Sequence, residues 1–355
     1  MPLSFFKGKK VFLTGHTGFK GTWMCHLLAQ LGATVTGYAL PLQEGAFFSY
    51  GGADKLVHSV YGDVRDLKVL SQAFKAAQPE VVIHMAAQPL VRESYRHPAY
   101  TYETNVMGTV NVLECVRENG SVRSFLNVTT DKVYHNNEWA WGYRETDPLD
   151  GHDPYSNSKS CAELVTHSYK SAFLSAQGVA VSTARAGNVI GSGDEANDRI
   201  IPDCVRAALA QLPIEVRNPQ ATRPYQHVLE PLLAYLLIVQ KQWENPALAG
   251  WYNVGPEDAD CACTGRLVDL FCRHWGEGLG WQKTAEEGPH EANFLKLDCS
   301  KIKSTLGWQP VWALDEAVRY TVEGYKAHRD KQDIAQMMAG QIADYMQKAG
   351  FIKNV

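Results

Sequence analysis

The amino-acid sequence predicts an α/β fold: a doubly wound parallel sheet followed by a smaller C-terminal lobe. Three observations indicate this fold. Apolar strand-like runs alternate with helix-length segments over the first two-thirds of the 355 residues. Several of these runs are nearly continuous in Val, Ile and Leu, as expected of strands that helices cover on both faces. A glycine-rich turn, "TGHTGFKG" at 14–21, joins the first strand to the first helix.

The elements follow one another from the N-terminus at spacings that suit this fold. The first helix has apolar residues at helical spacing and ends at Gly32. The predicted strands are "KKVFLT" (9–14), "ATVTGYAL" (33–40), "KLVHSVYGDV" (55–64), "EVVIHMAA" (80–87), "RSFLNVTT" (123–130) and "AVSTARAGNVIG" (180–191). The predicted helices are "GTWMCHLLAQLG" (21–32), "SQAFKAAQ" (71–78), "YTYETNVMGTVNVLECVRENG" (100–120) and "DPYSNSKSCAELVTHSYKSAFLSAQG" (153–178).

The alternation of strand and helix ends near Gly191, where loops rich in Gly, Pro and Asp begin. We therefore predict a dinucleotide-binding domain of the Rossmann type over 1–190. A substrate-binding lobe follows over 191–330, with some segments returning to the sheet. Residues 331–355 form a peripheral helical tail. The run "LLAYLLIV" (232–239) is too short to span a bilayer and predicts a buried helix.

Composition excludes several classes of function. A formal net charge of -4 gives no electrostatic reason to expect nucleic acid as a partner. No apolar segment is long enough for a membrane, and no signal peptide precedes the first strand, so we expect a cytoplasmic protein. The eight cysteines lack zinc-site spacing, which predicts reduced thiols and no metal.

The glycine-rich turn has the form of a phosphate cradle. Gly15, Gly18 and Gly21 permit a tight turn and a close approach of backbone to a pyrophosphate at a helix N-terminus. The alternative is a turn that binds nothing. The second strand ends at "TGYALP" without the acidic residue that usually binds the adenosine ribose, so the choice between NAD and NADP stays open. Cofactor contacts are predicted for Gly15, Thr17, Gly18, Phe19, Lys20, Gly21, Asp63, Val64, Ala86, Ala87 and Gln88.

Tyr155 and Lys159 lie four residues apart at the start of a predicted helix, which places both side chains on one face. A lysine ammonium lowers the pKa of a nearby phenol. The tyrosine can then accept a proton from an alcohol while hydride leaves for a nicotinamide. Both residues therefore count as candidate catalytic and cofactor-binding groups, and the alternative is an exposed aromatic beside a solvated lysine.

Six motifs occur in order across residues 14–191: "TGHTGFKG", "MAAQPLVRESY", "TNVMGTVNVLE", "TTDKVY", "YSNSKSCAE" and "ARAGNVIG". Together they resemble the extended short-chain dehydrogenase/reductase family. Within it, "TTDKVY" and "ATRPYQHVLEPL" (221–232) are similar to the nucleotide-sugar 4,6-dehydratases. The resemblance spans nearly the whole chain. It implies NAD as the cofactor and CDP-glucose as the substrate, in a pathway to deoxysugars of the cell surface such as the O-antigen.

The resemblance also implies a redox-neutral dehydration that yields a 4-keto-6-deoxy sugar. Hydride leaves carbon 4 for NAD while Tyr155 takes the hydroxyl proton, water is lost across carbons 5 and 6, and the hydride returns to carbon 6. Thr130 would donate a hydrogen bond to the carbon 4 oxygen. Asp131 would protonate the departing carbon 6 hydroxyl, which needs a carboxylic acid that its site keeps neutral.

Three roles are open for Lys132, which follows Asp131 directly. It is the base that removes the carbon 5 proton, if desolvation or nearby positive charge lowers its pKa. Otherwise it stabilises the enolate as a cation, or it merely pairs with Asp131 as ordinary surface charges do.

The diphosphate of a nucleotide sugar calls for cations, and arginine is favoured by its bidentate geometry. Positions that match substrate loops of the family are Arg92, Asn188, Arg199, Arg223 and Tyr225. Tyr225 stands where the family has tryptophan, which predicts an altered contact with the base.

Other functions fit the same motifs less well. A 4-epimerase also uses the Tyr–Lys pair and NAD but needs no acid at Asp131, and a dehydratase for another nucleotide sugar would differ only in its substrate loops. A non-catalytic dinucleotide sensor usually loses the tyrosine or the lysine. The family implies a homodimer or higher homo-oligomer, for which the apolar faces of the helices over 105–116 and 160–174 are suited.

Overall fold

The computed structural model describes residues 3–284 and 294–351. In chain order its strands are β1 (Lys10–Thr14), β2 (Thr34–Ala39), β3 (His58–Tyr61), β4 (Val81–His84), β5 (Ser124–Thr130), β6 (Ala180–Ala186), β7 (Val189–Ile190), β8 (Ile214–Val216), β9 (Thr222–Arg223), β10 (Gln226–His227), β11 (Trp251–Val254), β12 (Ala262–Cys263) and β13 (Trp281–Lys283).

The helices lie between these strands and after them. They are α1 (Phe19–Gln30), α2 (Phe47–Tyr50), α3 (Leu67–Ala77), α4 (Val91–Arg96), α5 (Pro98–Tyr102), α6 (Gly108–Glu118), α7 (Pro154–Tyr169), α8 (Ile200–Leu209), α9 (Leu229–Glu244), α10 (Thr264–Trp275), α11 (Ser300–Leu306), α12 (Leu314–Arg329) and α13 (Ile334–Lys348). None of the described helices is both long and apolar enough to cross a membrane.

Seven parallel strands form the central sheet in the order β3-β2-β1-β4-β5-β6-β11. The chain winds outward from β1 to β3 and then returns to β4 on the other side of β1. This reversal makes the gap between β1 and β4 the switch point of a doubly wound sheet, where ligands bind beyond the carboxyl ends of the strands. The predicted fold class is therefore confirmed.

Alternate residues of the sheet enter two different cores, as the period of two in a strand requires. Val11 and Leu13 pack with α1, α9 and α13 on one face. Phe12 packs with α3 and α6 on the other face. Every residue of β4, β5 and β6 is buried, as expected of parallel strands that helices cover on both faces.

The predicted sixth strand is divided in the structure. β6 ends at Ala186, and β7 leaves the sheet to pair with β10. A Cβ at Gly187 would meet the Pro224 ring at 2.5 Å, so the close crossing at this point requires glycine. The break brings Asn188 to the edge of a cavity.

The predicted long helix over 100–120 is also interrupted. A π-helical turn at Glu103–Met107 separates α5 from α6. Within this turn the Asn105 amide nitrogen donates to the Gln88 carbonyl (3.1 Å) and to Ser158 Oγ (2.8 Å). The turn therefore connects the loop after β4 to α7, as π-bulges at functional sites often do.

A second core lies in the part of the chain after Gly191. It brings together α8, α10 and α12 with β8 and β13. Two segments return to the sheet: α9, which is buried along almost its whole length as predicted, and β11, which pairs with β6. The last helix, α13, contributes Ile334, Met338, Ile342, Tyr345 and Met346 to the main core.

Candidate active site

A cavity of about 810 Å³ lies between the carboxyl ends of β5 and β6 and the loops of the second core. Its size suits a nucleotide sugar, since ligand pockets measure roughly 300–1,000 Å³. Eleven predicted site residues line it: Phe19, Lys20, Arg92, Thr130, Asp131, Lys132, Tyr155, Asn188, Arg199, Arg223 and Tyr225. Arg217, directly after β8, and Lys283, at the end of β13, also line it and were not predicted.

Asp131 stands directly after β5, at the start of a 3₁₀ turn, and is only 1% exposed. Thr130 Oγ1 donates a hydrogen bond to its Oδ1 at 3.0 Å, whereas Oδ2 is buried with no hydrogen-bond partner in the described residues. Burial raises the pKa of this carboxyl, against the lowering influence of the Lys132 and Arg223 charges. The site therefore favours a protonated acid, as the proposed role of Asp131 requires.

Lys132 is not the ion-pair partner of Asp131. Its backbone N–H donates weakly to Thr130 Oγ1 (3.4 Å), but its ammonium makes no hydrogen bond or ion pair within the parts of the chain described here. Of the three roles that the sequence left open, simple pairing with Asp131 thus lacks support. The ammonium lines the cavity and is available to a ligand.

Tyr155 lies in the first turn of α7. Pro154 starts this helix, and Asp153 caps it by accepting from the Ser156 N–H at 3.0 Å. Burial raises the pKa of the Tyr155 phenol to about 12, although a hydrogen bond with Thr130 and the Arg199 charge both lower it. The phenol pKa is thus higher than the Tyr–Lys spacing alone predicted, because desolvation outweighs the nearby charges.

Lys159 lies one turn beyond Tyr155 and beneath the cavity, at 4% exposure. Its ammonium donates to the Val128 carbonyl of β5 at 3.1 Å. Burial and the charge of Lys20 lower its pKa to about 7, while Glu163 raises it. The predicted shared face of Tyr155 and Lys159 is present, and it packs against the end of β5.

A buried ion pair supports these groups and was not predicted. Glu163, one further turn along α7, pairs with Arg185 of β6 at 2.9 Å, and both are fully buried. Thr129 and Thr183 also donate to the Glu163 carboxylate. These contacts hold its pKa near 2 despite burial, with Arg185 the leading cause. The pair joins α7 to the ends of β5 and β6. Its only sequence signal was the four-residue spacing from Lys159.

The glycine-rich turn has the geometry of a cradle for a dinucleotide. Gly15 has φ +73°, and a Cβ there would meet the Ala86 nitrogen at 2.8 Å. A Cβ at Gly21 would meet the Gly15 carbonyl at 2.1 Å, whereas one at Gly18 would meet nothing closer than 3.5 Å. Thr17 and Gly18 precede α1, and Gly18 is its N-cap. The turn therefore presents bare backbone at a helix N-terminus, which fits a pyrophosphate.

The loop after β4 forms the opposite wall of this cradle. Thr14 Oγ1 accepts from the Met85 and Ala86 N–H groups at 3.1 Å each, which fixes the backbone of Ala86 and Ala87. The Gln88 side chain holds the loop itself, and its predicted contact with the cofactor stays a prediction. Its amide donates to the Leu90 carbonyl and to Thr101, and accepts from the Leu90 N–H.

The ends of β2 and β3 show what takes the place of the acidic residue that usually binds the adenosine ribose. A Cβ at Gly37 would meet the His16 ring at 2.3 Å, so that ring occupies the space beside β2 and bonds to Ser59 Oγ at 3.0 Å. Asp63 follows β3, and Arg65 holds its carboxylate in a bidentate contact that lowers its pKa. Val64 is buried beside it. Neither strand end distinguishes NAD from NADP.

The predicted substrate residues lie around the cavity with partners of their own. Arg199 pairs with Asp194 at 2.9 Å, and Arg92 pairs with Asp198 at 3.2 Å. Arg223 is almost fully buried and lies close enough to Asp131 to lower its pKa. The Tyr225 hydroxyl bonds to Thr264 Oγ1 at 3.0 Å, a contact that the tryptophan of the family could not make.

Comparison with known proteins identifies the family. The family model for GDP-mannose 4,6-dehydratase matches residues 12–321. This chain belongs to that family. Among curated relatives, the CDP-glucose 4,6-dehydratase of Salmonella typhimurium is 45% identical over 97% of this chain and 98% of the relative. The dTDP-glucose 4,6-dehydratase of Streptomyces antibioticus is 27% identical over 90% of this chain and 93% of the relative.

Solved structures share the fold of the family. A dTDP-glucose 4,6-dehydratase from Bacillus anthracis in complex with NAD superposes with a TM-score of 0.77, at 20% identity, over 92% of this chain and 99% of that one. A UDP-glucose 4-epimerase from Stenotrophomonas maltophila with bound NAD gives 0.81 at 20% identity, over 91% and 99%. At these identities the likeness concerns the fold, which dehydratases and epimerases have in common.

Proposed function

We propose that this protein is a CDP-glucose 4,6-dehydratase, which converts CDP-D-glucose to CDP-4-dehydro-6-deoxy-D-glucose and water. One structural observation carries the proposal: Asp131 is a buried acid with a free carboxyl oxygen beside the Thr130–Tyr155 contact, at the edge of a cavity that fits a nucleotide sugar. An epimerase has no use for such an acid. The 45% identity to a CDP-glucose 4,6-dehydratase supports the same choice of reaction and substrate.

In the first half of the reaction Tyr155 takes the proton of the carbon 4 hydroxyl. When bound, NAD supplies the acceptor for the carbon 4 hydride and later returns it to carbon 6. Tyr155 needs a lower pKa than the value of about 12 in the free site. The hydrogen bond with Thr130 and the Arg199 charge are the groups of this chain that favour the phenolate, and Lys159 lies one turn away on α7. The Thr130 hydroxyl would turn its one proton from Asp131 Oδ1 to the carbon 4 oxygen when the sugar binds.

In the second half Asp131 protonates the carbon 6 hydroxyl as it leaves. Burial raises the pKa of the carboxyl and so favours the protonated acid, and Oδ2 has no competing partner in the described structure. Thr130 fixes the carboxyl by donating to Oδ1. Water is thus expelled from carbon 6 while the carbon 5 proton is removed on the same side of the cavity.

Lys132 completes the elimination in one of two ways. As a base it takes the carbon 5 proton through its amine. As a cation it stabilises the enolate oxygen at carbon 4, and another group or water takes the proton. Its unpaired position beside Asp131 suits both roles, and the two roles differ in what an arginine at this position would do.

The remaining cations of the cavity hold the diphosphate. Arg199 and Arg223 were predicted for this purpose, and Arg217, directly after β8, joins them. Asn188 contributes a hydrogen bond to the phosphate or the sugar, and Tyr225 presents its ring to the base. NAD rather than NADP is part of the proposal because the reaction returns its own hydride and needs no separate reductant pool.

Location and assembly follow the family. We place the reaction in the cytoplasm, where nucleotide sugars are made. Self-association would use the outer sides of the helical segments 105–116 and 160–174, because Met107, Leu164 and Phe173 there are 50%, 53% and 44% exposed. The reaction itself needs only residues of one chain among those named above.

The test is mass spectrometry after incubation of the purified protein with NAD and, in parallel, CDP-, UDP-, dTDP- and GDP-linked sugars. The proposal predicts loss of one water from CDP-glucose and no net formation of NADH. Conversion to a 4-epimer of unchanged mass would indicate an epimerase. Water loss from a different nucleotide sugar would retain the reaction and overturn the substrate. No turnover of any sugar would contradict the proposal.

A further inference from the structure

Asp198 joins two arginines across the mouth of the cavity. Its Oδ1 atom lies 3.2 Å from Arg92 Nη1 and 3.3 Å from Arg217 Nη1. The three residues come from separate parts of the chain: Arg92 from the start of α4, Arg217 from directly after β8, and Asp198 from the loop before α8. A single carboxylate oxygen thus holds two guanidinium groups together, and all three side chains line the cavity.

The backbone at Asp198 is in an unusual conformation. Its φ is +61°, in the left-handed region that residues other than glycine rarely adopt. Aspartate reaches this region more readily than most other non-glycine residues, and surrounding contacts hold it there. The two ion pairs are the contacts that hold Asp198 here. Nothing about packing requires them, since the three side chains are 23% to 33% exposed.

The two arginines retain capacity to bind a larger anion. Arg92 Nε is buried and has no hydrogen-bond partner within the described residues, which is rare for a donor at this depth. Seven basic and five acidic side chains of the described structure line the cavity, so its lining is positive before a ligand enters. Guanidinium groups held side by side match the oxygens of a phosphate or diphosphate in geometry.

We propose that Asp198 occupies the diphosphate subsite of the free protein and is displaced when the nucleotide sugar binds. This inference rests on the proposed function only in taking a nucleoside diphosphate sugar as the ligand. Without an anion between them, Arg92 and Arg217 would repel each other and separate. Asp198 keeps them in place, and the diphosphate then replaces one carboxylate with a dianion. The displaced residue is released from its left-handed conformation.

The beginning and end of the loop are anchored, so that only its middle has to move. Tyr50 donates to Glu195 at 2.9 Å, and Gly193 packs so closely on Phe47 that a Cβ would lie 2.3 Å from the ring. Asp194 holds Arg199 at 2.9 Å. Arg206 also donates to the Ala196 carbonyl at 3.3 Å, so the part that remains to change is the short stretch 197–198.

The experiment compares the binding of CDP to the full chain and to Asp198→Asn by titration calorimetry. Asparagine suits the test because it tolerates a left-handed backbone and removes only the charge. We expect the dissociation constant to fall by roughly three- to tenfold, since a charge that competes at a partly exposed pair is worth about 1 kcal/mol. Asp198→Gly, which also tolerates this backbone, should bind CDP at least as tightly.

The matched control is Asp203→Asn. Asp203 carries the same charge near the cavity but pairs with Arg206 of its own helix. The variant Asp203→Asn should bind CDP with an affinity within about twofold of that of the wild type. Unchanged or weaker binding of CDP to Asp198→Asn would overturn the inference, as would an equal gain in Asp203→Asn, which would indicate a general effect of net charge. Thermal unfolding of each variant verifies that it is folded.

A separate measurement distinguishes this inference from the proposed function. The wild-type protein is incubated with CDP-glucose and NAD, and loss of water is followed by mass spectrometry. Tighter CDP binding by Asp198→Asn without wild-type turnover would sustain the inference and contradict the reaction. Wild-type turnover with unchanged CDP binding by Asp198→Asn would sustain the reaction and contradict the inference.

Discussion

Thr130 Oγ1 donates a hydrogen bond of 3.0 Å to Asp131 Oδ1, and the other carboxyl oxygen of Asp131 is buried with no partner among the described residues. The same threonine lies in hydrogen-bond contact with the phenol of Tyr155. One hydroxyl therefore links Asp131, the proposed acid of the second half-reaction, to Tyr155, the proposed base of the first. This arrangement allows one sugar ring to meet both groups without moving far between the two steps.

Replacing Asp131 by asparagine should stop the reaction after its first half. The variant keeps the side-chain shape but has no proton for the departing hydroxyl, so turnover should fall by roughly a hundredfold or more. Reduced cofactor should then accumulate on the protein, which its absorbance would reveal. Asp150→Asn is the control, because Asp150 is 65% exposed and pairs only with His135. Normal turnover by Asp131→Asn would remove the acid from the mechanism.

Replacing Tyr155 by phenylalanine should prevent the first half-reaction itself. Without the phenol no group of this chain takes the carbon 4 hydroxyl proton, so turnover should fall by roughly a hundredfold or more and no reduced cofactor should appear. Tyr95→Phe serves as the control, since Tyr95 is 43% exposed. Accumulation of reduced cofactor in Tyr155→Phe would assign the proton transfer to another residue.

Two variants of Lys132 separate its two proposed roles. Lys132→Arg keeps the charge but not the capacity to accept a proton, since arginine stays protonated in proteins. If Lys132 stabilises the enolate, Lys132→Arg should retain turnover within about tenfold, while Lys132→Met should lose roughly a hundredfold. If Lys132 is the base, both variants should lose roughly a hundredfold in turnover. Incorporation of solvent deuterium at carbon 5 of the product measures the step, and full activity of Lys132→Met would exclude both roles.

Lys159 should destabilise the fold in a way that depends on pH. Its pKa falls from 10.5 to about 7 on folding. Between those values the unfolded chain binds a proton that the folded chain does not, so stability rises with pH across that window. Below about pH 7 Lys159 is protonated in both states, so the full loss of stability from burying its charged ammonium is present.

The variant Lys159→Met should therefore raise the free energy of unfolding most at neutral pH and below. The gain should shrink as pH approaches about 10, where neither state of the wild type carries the full charge. Part of this gain in stability is offset because the Val128 carbonyl loses the hydrogen bond that Lys159 donates to it. Urea unfolding at several pH values measures the difference. A gain that is constant across the pH range would show that Lys159 is not desolvated as described.

Gly21 and Gly18 of the glycine-rich turn should differ sharply in how well they tolerate an added Cβ atom. Gly21→Ala places a Cβ 2.1 Å from the Gly15 carbonyl, so the turn has to shift and the midpoint of thermal unfolding should fall by several degrees. Gly18→Ala has no contact closer than 3.5 Å and should unfold near the wild-type temperature. Equal midpoints for the two variants would contradict the packing of this turn.

The sequence predicted those parts of the fold that depend on local pattern. The six strands up to Ala186 and the glycine turn were predicted because buried parallel strands and phosphate turns have strong signatures. The break after β6 was not predicted, because it depends on the approach of Pro224 to Gly187 from distant sequence. The same holds for the π turn at Asn105, which is set by contacts with Gln88 and Ser158.

The candidate site was predictable to a similar degree. Thr130, Asp131 and Tyr155 were identified from motifs, and the structure brings them to one cavity. Arg217 and Asp198 were missed because a lone charge in a loop has no pattern, and their importance comes from lying beside Arg92 in space. The raised pKa of Tyr155 was not predicted either, since spacing indicates the nearby lysine but not the extent of burial.

The most direct test of the central claim uses CDP-glucose that carries deuterium at carbon 4. The wild-type protein with NAD should yield a product that has lost one water and carries the deuterium at carbon 6, with no net reduced cofactor. That result requires the hydride to leave and return within one active site. Loss of the label, its appearance in free reduced cofactor, or a 4-epimer that retains all its oxygen would contradict the dehydratase mechanism built on Tyr155 and Asp131.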